Sequence, residues 1–168
     1  MLDNDQPAPE FELPDLEGTL KRLSDFRGQI VVVNFWSAEC PWSKRGDSEL
    51  LATLRELEEP VVLLSIASNA NEPEEMVRET ARQRGIPILL LDKGAVVAKL
   101  YGAETTPHAF VVDRSGLLRY QGALNDMTFR QRTPTRWYVA EALQALLAGH
   151  SPEVAQAAPY GCTIVHEI

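Results

Sequence analysis

The chain is poor in cysteine, with Cys40 and Cys162 the only two in 168 residues. Two thiols cannot staple a disulfide scaffold, so the protein folds on its own apolar core, and a chain of this length supplies one in a single domain. Basic side chains are also short, 16 Lys and Arg against 24 Asp and Glu, for a formal net charge of −8 and a pI near 4.9. With no Lys/Arg cluster, that balance leaves nucleic acid out as an expected partner. No apolar run approaches the roughly eighteen residues of a membrane span, so no membrane partner is expected either. The opening "MLDNDQPAPEFELPD" has neither a positive n-region nor an apolar h-region, which leads to the expectation of a cytoplasmic protein, or an extracytoplasmic one if a signal has been removed. G-x-G-x-x-G and P-loop motifs are missing, and no cofactor is expected. There is no internal repeat.

What is present is a regular alternation of strand and helix patterns. Residues 1–28 read as an extended N-terminal extension that ends in "TLKRLSDFRG", a short strand and then a turn closing on Gly28. "QIVVVNFW" is a continuous β-branched and apolar run, the pattern of a strand buried on both faces. "CPWSKRGDSELLATLRELEE" follows with helical spacing of Leu50, Leu51, Leu54 and Leu57, and Gly46 is a place for a kink. "PVVLLSIAS" and "IPILLLD" are further buried strands, separated by the helix "NEPEEMVRETARQRG", with acids early, arginines late and Gly85 after it. The acidic "NEPEE" reads as a solvated first turn. "GAVVAKLYG" is a short helix, "HAFVVDRSGLLRYQG" a hairpin, and "TPTRWYVAEALQALLAG" a closing helix with Pro134 in its first turn. Residues 150–168 form a C-terminal tail that carries Cys162. The order β-α-β-α-β-α-β-β-α predicts an α/β protein, a central mixed sheet flanked by helices on both faces, built as one domain over residues 1–168.

Cys40 lies in "FWSAECPWSK", where the first buried strand ends and a helix begins, with Pro41 at the first helical position. Unpaired amides and the positive end of a helix dipole favour a thiolate there, and cysteines in that setting have pKa values lowered from about 8.5 into roughly 3.5–7.5. Glu39 opposes this unless it points to solvent. The alternative is a small buried apolar filler. Trp36 reads as core packing, and Trp42 as a partial cover for the sulfur. Ser43, one helical turn on, is placed to hydrogen-bond the thiolate or to be solvated.

"VVVNFWSAECPWS", "TTPHAFVVDRSG" and the strand order resemble the thioredoxin-like superfamily over residues 8–148. More closely, the chain resembles the redoxins grouped with alkyl hydroperoxide reductase and thiol-specific antioxidant proteins (AhpC/TSA). It is similar there to a branch with a Cys-Pro-aromatic-x motif, matched by "CPWS", and a Tyr-Arg-Gly-like stretch followed by Asp, matched by Tyr120, Gly122 and Asp126. The branch ends in Gly-Cys-x-Ile-Lys-Trp; Gly161, Cys162 and Ile164 match, whereas Val165 and His166 replace Lys and Trp. The resemblance implies a thioredoxin-like fold, and a cis peptide bond before Pro107, which with Thr106 positions a substrate chain. Peroxiredoxins use Pro-x-x-x-Thr/Ser-x-x-Cys and an arginine. Ser37 fits the hydroxyl position, but Val33 stands where proline is required and Pro107 where the arginine falls. Asn34 occupies the place of the buried thioredoxin aspartate, and an amide is no general base at neutral pH.

A serine cannot resolve a mixed disulfide on Cys40, so Ser43 does not fill the role of a second active-site cysteine. Cys162 is the candidate resolving cysteine. Pairing between two chains, with glutathione or with a partner thiol are the alternatives, and an idle tail thiol is the bland one. Cys40, Cys162 and His166 are three possible ligands without a known convergence, so no metal is expected. The expected activity is thiol-disulfide oxidoreduction, with Cys40 as nucleophile, Trp42, Ser43 and Ser37 joining Thr106 and Pro107 as substrate-positioning residues, and protein or small-molecule thiols and disulfides as partners. A thiol peroxidase acting on peroxide and a redox-inactive binding module are the other readings. A monomer or a homodimer fits the sequence equally.

Overall fold

The structure, a computed structural model, describes residues 1–166; the last two positions of the expected tail lie outside them. The chain opens with the hairpin β1 (Glu12–Pro14) and β2 (Leu20–Arg22), and a short 3-10 turn leads on from it. There follow β3 (Val31–Trp36), α1 (Pro41–Glu56), β4 (Val62–Ala67), α2 (Glu74–Arg84), β5 (Leu89–Leu91) and α3 (Val96–Tyr101). The remainder is β6 (Thr105–Thr106), β7 (His108–Val112), β8 (Leu118–Gly122), α4 (Tyr138–Leu147), β9 (Gln156–Ala157) and β10 (Cys162–Thr163). The main sheet has the order β5-β4-β3-β7-β8-β9. Its β3–β4, β4–β5 and β8–β9 pairs are parallel, and β3–β7 and β7–β8 antiparallel. A mixed sheet with helices on both faces is thus what the chain forms. Among the described residues no helix is long and apolar enough to cross a membrane.

Every position of β3 is buried because both of its faces are covered. Val31, Val33 and Phe35 pack with Leu64, Ile66 and Phe110 beneath α3 and the N-terminal Phe11 and Leu23. Val32 packs on the other face with Leu63 and Val111, beneath Leu50 of α1 and Leu143 of α4. Each such side chain stabilises the fold by about 1.5–3 kcal/mol on full burial. That rigid strand delivers the chain to Cys40.

Two expectations about the helices change. Gly46 does not kink α1, which runs unbroken from Pro41 to Glu56. It is a point of close approach instead, because a Cβ there would lie 2.8 Å from Leu124 Cδ1 and 3.2 Å from Pro107 Cγ. Pro134 is not in the first turn of α4, which begins four residues later, at Tyr138. The Asp126 carboxylate accepts the Thr135 N–H (2.8 Å), and Asp126 N–H donates to the Arg136 carbonyl (3.1 Å). Residues 126–136 are therefore closed into a loop rather than wound into helix.

The tail returns over the sheet. Ile164 is only 2 % exposed and packs with Phe11, Tyr101 and Phe110. Its N–H donates to the Glu104 carbonyl (3.0 Å), and Val165 bridges to Asn69 and Ala70 (2.7 and 2.8 Å). Cys162 rides on this docked segment.

Candidate active site

Cys40 is the N-cap of α1, in extended conformation, with Pro41 at the first helical position. The first helical hydrogen bond is Lys44 N–H to the Cys40 carbonyl (3.1 Å). The amides of Trp42 and Ser43 precede it and, with the helix dipole, place positive potential at the cap. The Cys40 sulfur is bonded to that of Cys162, with the two Cα atoms 6.2 Å apart across 122 positions of sequence, a separation in the usual range for a disulfide.

Backbone pairing brings Cys162 there. β10 lies antiparallel to β6, with Cys162 opposite Thr106 and Thr163 opposite Thr105. A Cβ on Gly161 would collide with the Thr106 carbonyl, so only glycine allows this approach. The Thr106–Pro107 peptide is cis. The Thr106 carbonyl oxygen is 3.3 Å from the Cys40 sulfur and stands ready to accept a hydrogen bond from the thiol when the disulfide is open. His108, next along, is buried; its Nδ1 accepts the Glu104 N–H (3.1 Å), and burial pushes its pKa down to about 4. A neutral ring thus holds the turn that carries β6.

The loop before Cys40 is built by groups that sequence periodicity does not reveal. Ser37 and Ser43, expected near substrate, are both buried. The Ser43 hydroxyl accepts the Ser37 N–H (2.9 Å) instead of meeting the thiolate or solvent. The Ser37 hydroxyl accepts the Cys40 N–H (3.1 Å) and donates to Glu72. Both serines therefore shape the loop. Glu72, read from sequence as solvated, also accepts the Ala38 N–H (2.8 Å) and the Asn69 side-chain amide (3.1 Å). From the other side Arg84 donates to the carbonyls of Ser37 (3.0 Å) and Ala38 (2.6 Å) and to Asp47 (3.1 Å), with its guanidinium 5.3 Å from the Trp36 ring. Trp36 is more than packing, since its indole N–H donates to Asp47 (2.7 Å). Burial raises the Asp47 pKa to about 6 against the opposing pull of Trp36 and Arg84. Glu39 is exposed.

Beside the disulfide runs a groove of about 610 Å³, walled by Trp42, Pro107, Leu124, Met127, Trp137 and Tyr160. Trp42 is half-buried and meets Tyr160 edge-on, with ring centroids 5.2 Å apart, and Tyr160 meets Phe129 at 5.6 Å. Arg45 lies over Trp42. Among the described residues no group of three or more His, Cys, Asp or Glu is placed to hold a metal, and His166 is exposed.

A mixed sheet whose first buried strand runs into a cysteine at a helix cap, opposite a cis-proline, defines a thioredoxin-like protein. Residues 5–121 match the model of the AhpC/TSA family, and the chain belongs to that family. It is 31% identical over 113 residues to the thiol-disulfide oxidoreductase ResA of Geobacillus thermodenitrificans, a match covering 67% of this chain and 64% of that one. The chain thus spans just under two thirds of that relative. It superposes on the crystal structure of an uncharacterized conserved protein from Geobacillus kaustophilus with a TM-score of 0.88 at 28% identity, covering 98% of this chain and 93% of that one. Coverage that complete includes the tail in the shared architecture. The thioredoxin domain of a thiol-disulfide oxidoreductase from Bacteroides vulgatus has the same fold, with a TM-score of 0.65 at 23% identity over 79% of this chain and 94% of that one.

Proposed function

We propose that the protein is a thiol-disulfide oxidoreductase whose redox couple is Cys40 and Cys162. The observation that carries this reading is the disulfide between the N-cap of α1 and a tail strand paired with Thr106. The name of the Geobacillus thermodenitrificans relative supports it. In the reduced protein the Cys40 thiolate attacks one sulfur of a substrate disulfide. A mixed disulfide forms and the first substrate thiolate leaves. The Cys162 thiolate then attacks the Cys40 sulfur, the Cys40–Cys162 bond forms, and the second substrate thiolate leaves. Two electrons pass to the substrate. The substrates are thiols and disulfides able to reach the groove beside Pro107, with Thr106 and Pro107 as the positioning turn.

Peroxide is the weaker substrate on this reading. Ser37, the one peroxiredoxin-like group present, is buried and bound to Glu72. The test is turnover of insulin or an aromatic disulfide by the protein with a dithiol reductant, beside peroxide consumption under the same conditions. Disulfide turnover that needs both cysteines is expected. Saturable peroxide consumption at a higher kcat/KM would make the protein a peroxidase, and neither activity would leave a binding module.

A further inference from the structure

The two cysteines of the couple are not equally exposed. Cys40 is 4 % exposed, with its sulfur against the Thr106 carbonyl. Cys162 is half-buried, flanked by half-buried Gly161 and exposed Thr163, on a strand that among the described residues pairs only with β6. A thiolate reducing a disulfide approaches in line with the S–S bond, from the side of the sulfur it attacks. Approach to Cys40 starts where that residue is closed off; approach to Cys162 starts from the partly open tail. The leaving group points the same way. Attack on Cys162 expels Cys40 at the N-terminus of a sixteen-residue helix, where dipole and first-turn amides stabilise the departing thiolate. Attack on Cys40 would expel Cys162 from a two-residue strand that has no such support.

We infer that the reductant enters through Cys162, so that the two sulfurs serve two partners, Cys40 the substrate disulfide and Cys162 the electron donor. This rests on the couple being redox-active as proposed above. In the first step an incoming thiolate attacks the Cys162 sulfur; the donor–Cys162 disulfide forms, the Cys40–Cys162 bond breaks, and its electron pair leaves on Cys40. In the second, another thiolate, from the same dithiol or a second monothiol, attacks the donor sulfur. The donor becomes a disulfide and Cys162 leaves as thiolate. Two donor thiols are oxidised and the protein's disulfide is reduced.

The experiment mixes oxidised wild-type protein with glutathione, quenches in acid early in the reaction, alkylates, and maps the adducts by mass spectrometry. Glutathione on Cys162 and alkyl label on Cys40 are expected, in excess over the reverse by at least about tenfold. Glutathione mainly on Cys40 would overturn the inference. An adduct on Cys162 without disulfide turnover would keep the entry point and remove the oxidoreductase reading. An adduct on Cys40 with turnover would do the opposite.

Discussion

The Glu72 carboxylate accepts a hydrogen bond from the Asn69 side chain at 3.1 Å, and this contact joins the segments that carry the two cysteines. Glu72 holds the amides and hydroxyl of residues 37–39, while Asn69 Oδ1 accepts the Val165 N–H of the tail at 2.7 Å. The Cys40 loop and the Cys162 strand are thus referenced to one short connection after β4. Losing a partner for such a part-buried group costs about 1–3 kcal/mol. Glu72→Ala should lower Tm and raise hydrogen exchange at the amides of 38–40, and Asn69→Ala should raise it at Val165. Unchanged protection in both variants would show that the two segments hold their places without this bridge.

Gly161 is the second control point. Any side chain there meets the Thr106 carbonyl, so Gly161→Ala should push β10 off β6 and strain the oxidised form, in which the disulfide holds β10 in place, more than the reduced one. The disulfide should then be reduced more readily, with its equilibrium against glutathione displaced by about tenfold or more, a shift of about 30 mV for two electrons. A wild-type equilibrium constant in Gly161→Ala would mean that the strand pairing contributes nothing to the couple.

These two features differ in how far the sequence announces them. β3 and the placement of Cys40 at a helix cap are readable because burial on both faces and Pro41 leave local marks. The Cys40–Cys162 pairing has no competitor within a single chain that holds two thiols. The two-residue strands β6, β9 and β10 carry no periodicity, since pairing with distant chain defines them. Glu72 and Arg84 look like ordinary charges of a helical segment, and only the fold turns them toward residues 37 and 38. Ser43 has a hydroxyl one turn from Cys40, yet the Ser37 amide takes it.

His108 and Asp47 should tilt stability in opposite directions with pH. Burial lowers His108 from its usual 6.5 to about 4, so the unfolded chain binds more protons between those values, and stability falls as pH drops through that window. Burial raises Asp47 from 3.8 to about 6, so the folded state binds more protons in that window, and this contribution to stability is lost as pH rises through about 6. The two slopes oppose each other between about pH 4 and 6. Urea unfolding of His108→Asn over this range should show a slope more negative with pH than wild type, and Asp47→Asn one more positive. Parallel curves for all three proteins would mean that neither group titrates differently on folding.

The Cys40–Cys162 bond closes 122 positions of chain, and its effect should reach beyond the site. In the chain-entropy model a loop of that order stabilises the fold by about 5 kcal/mol, a large share of the roughly 5–15 kcal/mol that holds a typical domain together. Reduction with dithiothreitol should therefore lower the urea midpoint strongly. Cys162→Ser should match the reduced wild type and be indifferent to the reductant. It should also form one mixed disulfide at Cys40 with an aromatic disulfide and go no further, because no second thiol remains to expel the product. Ile164 stays available to anchor the tail by burial in both reduced wild type and the variant, so Tyr160 and Val165 should keep part of their protection from proteolysis. A midpoint that does not move on reduction would mean that the docked tail already restricts the unfolded chain or that strain in the bond cancels the gain; hydrogen exchange of the tail in reduced protein separates these two.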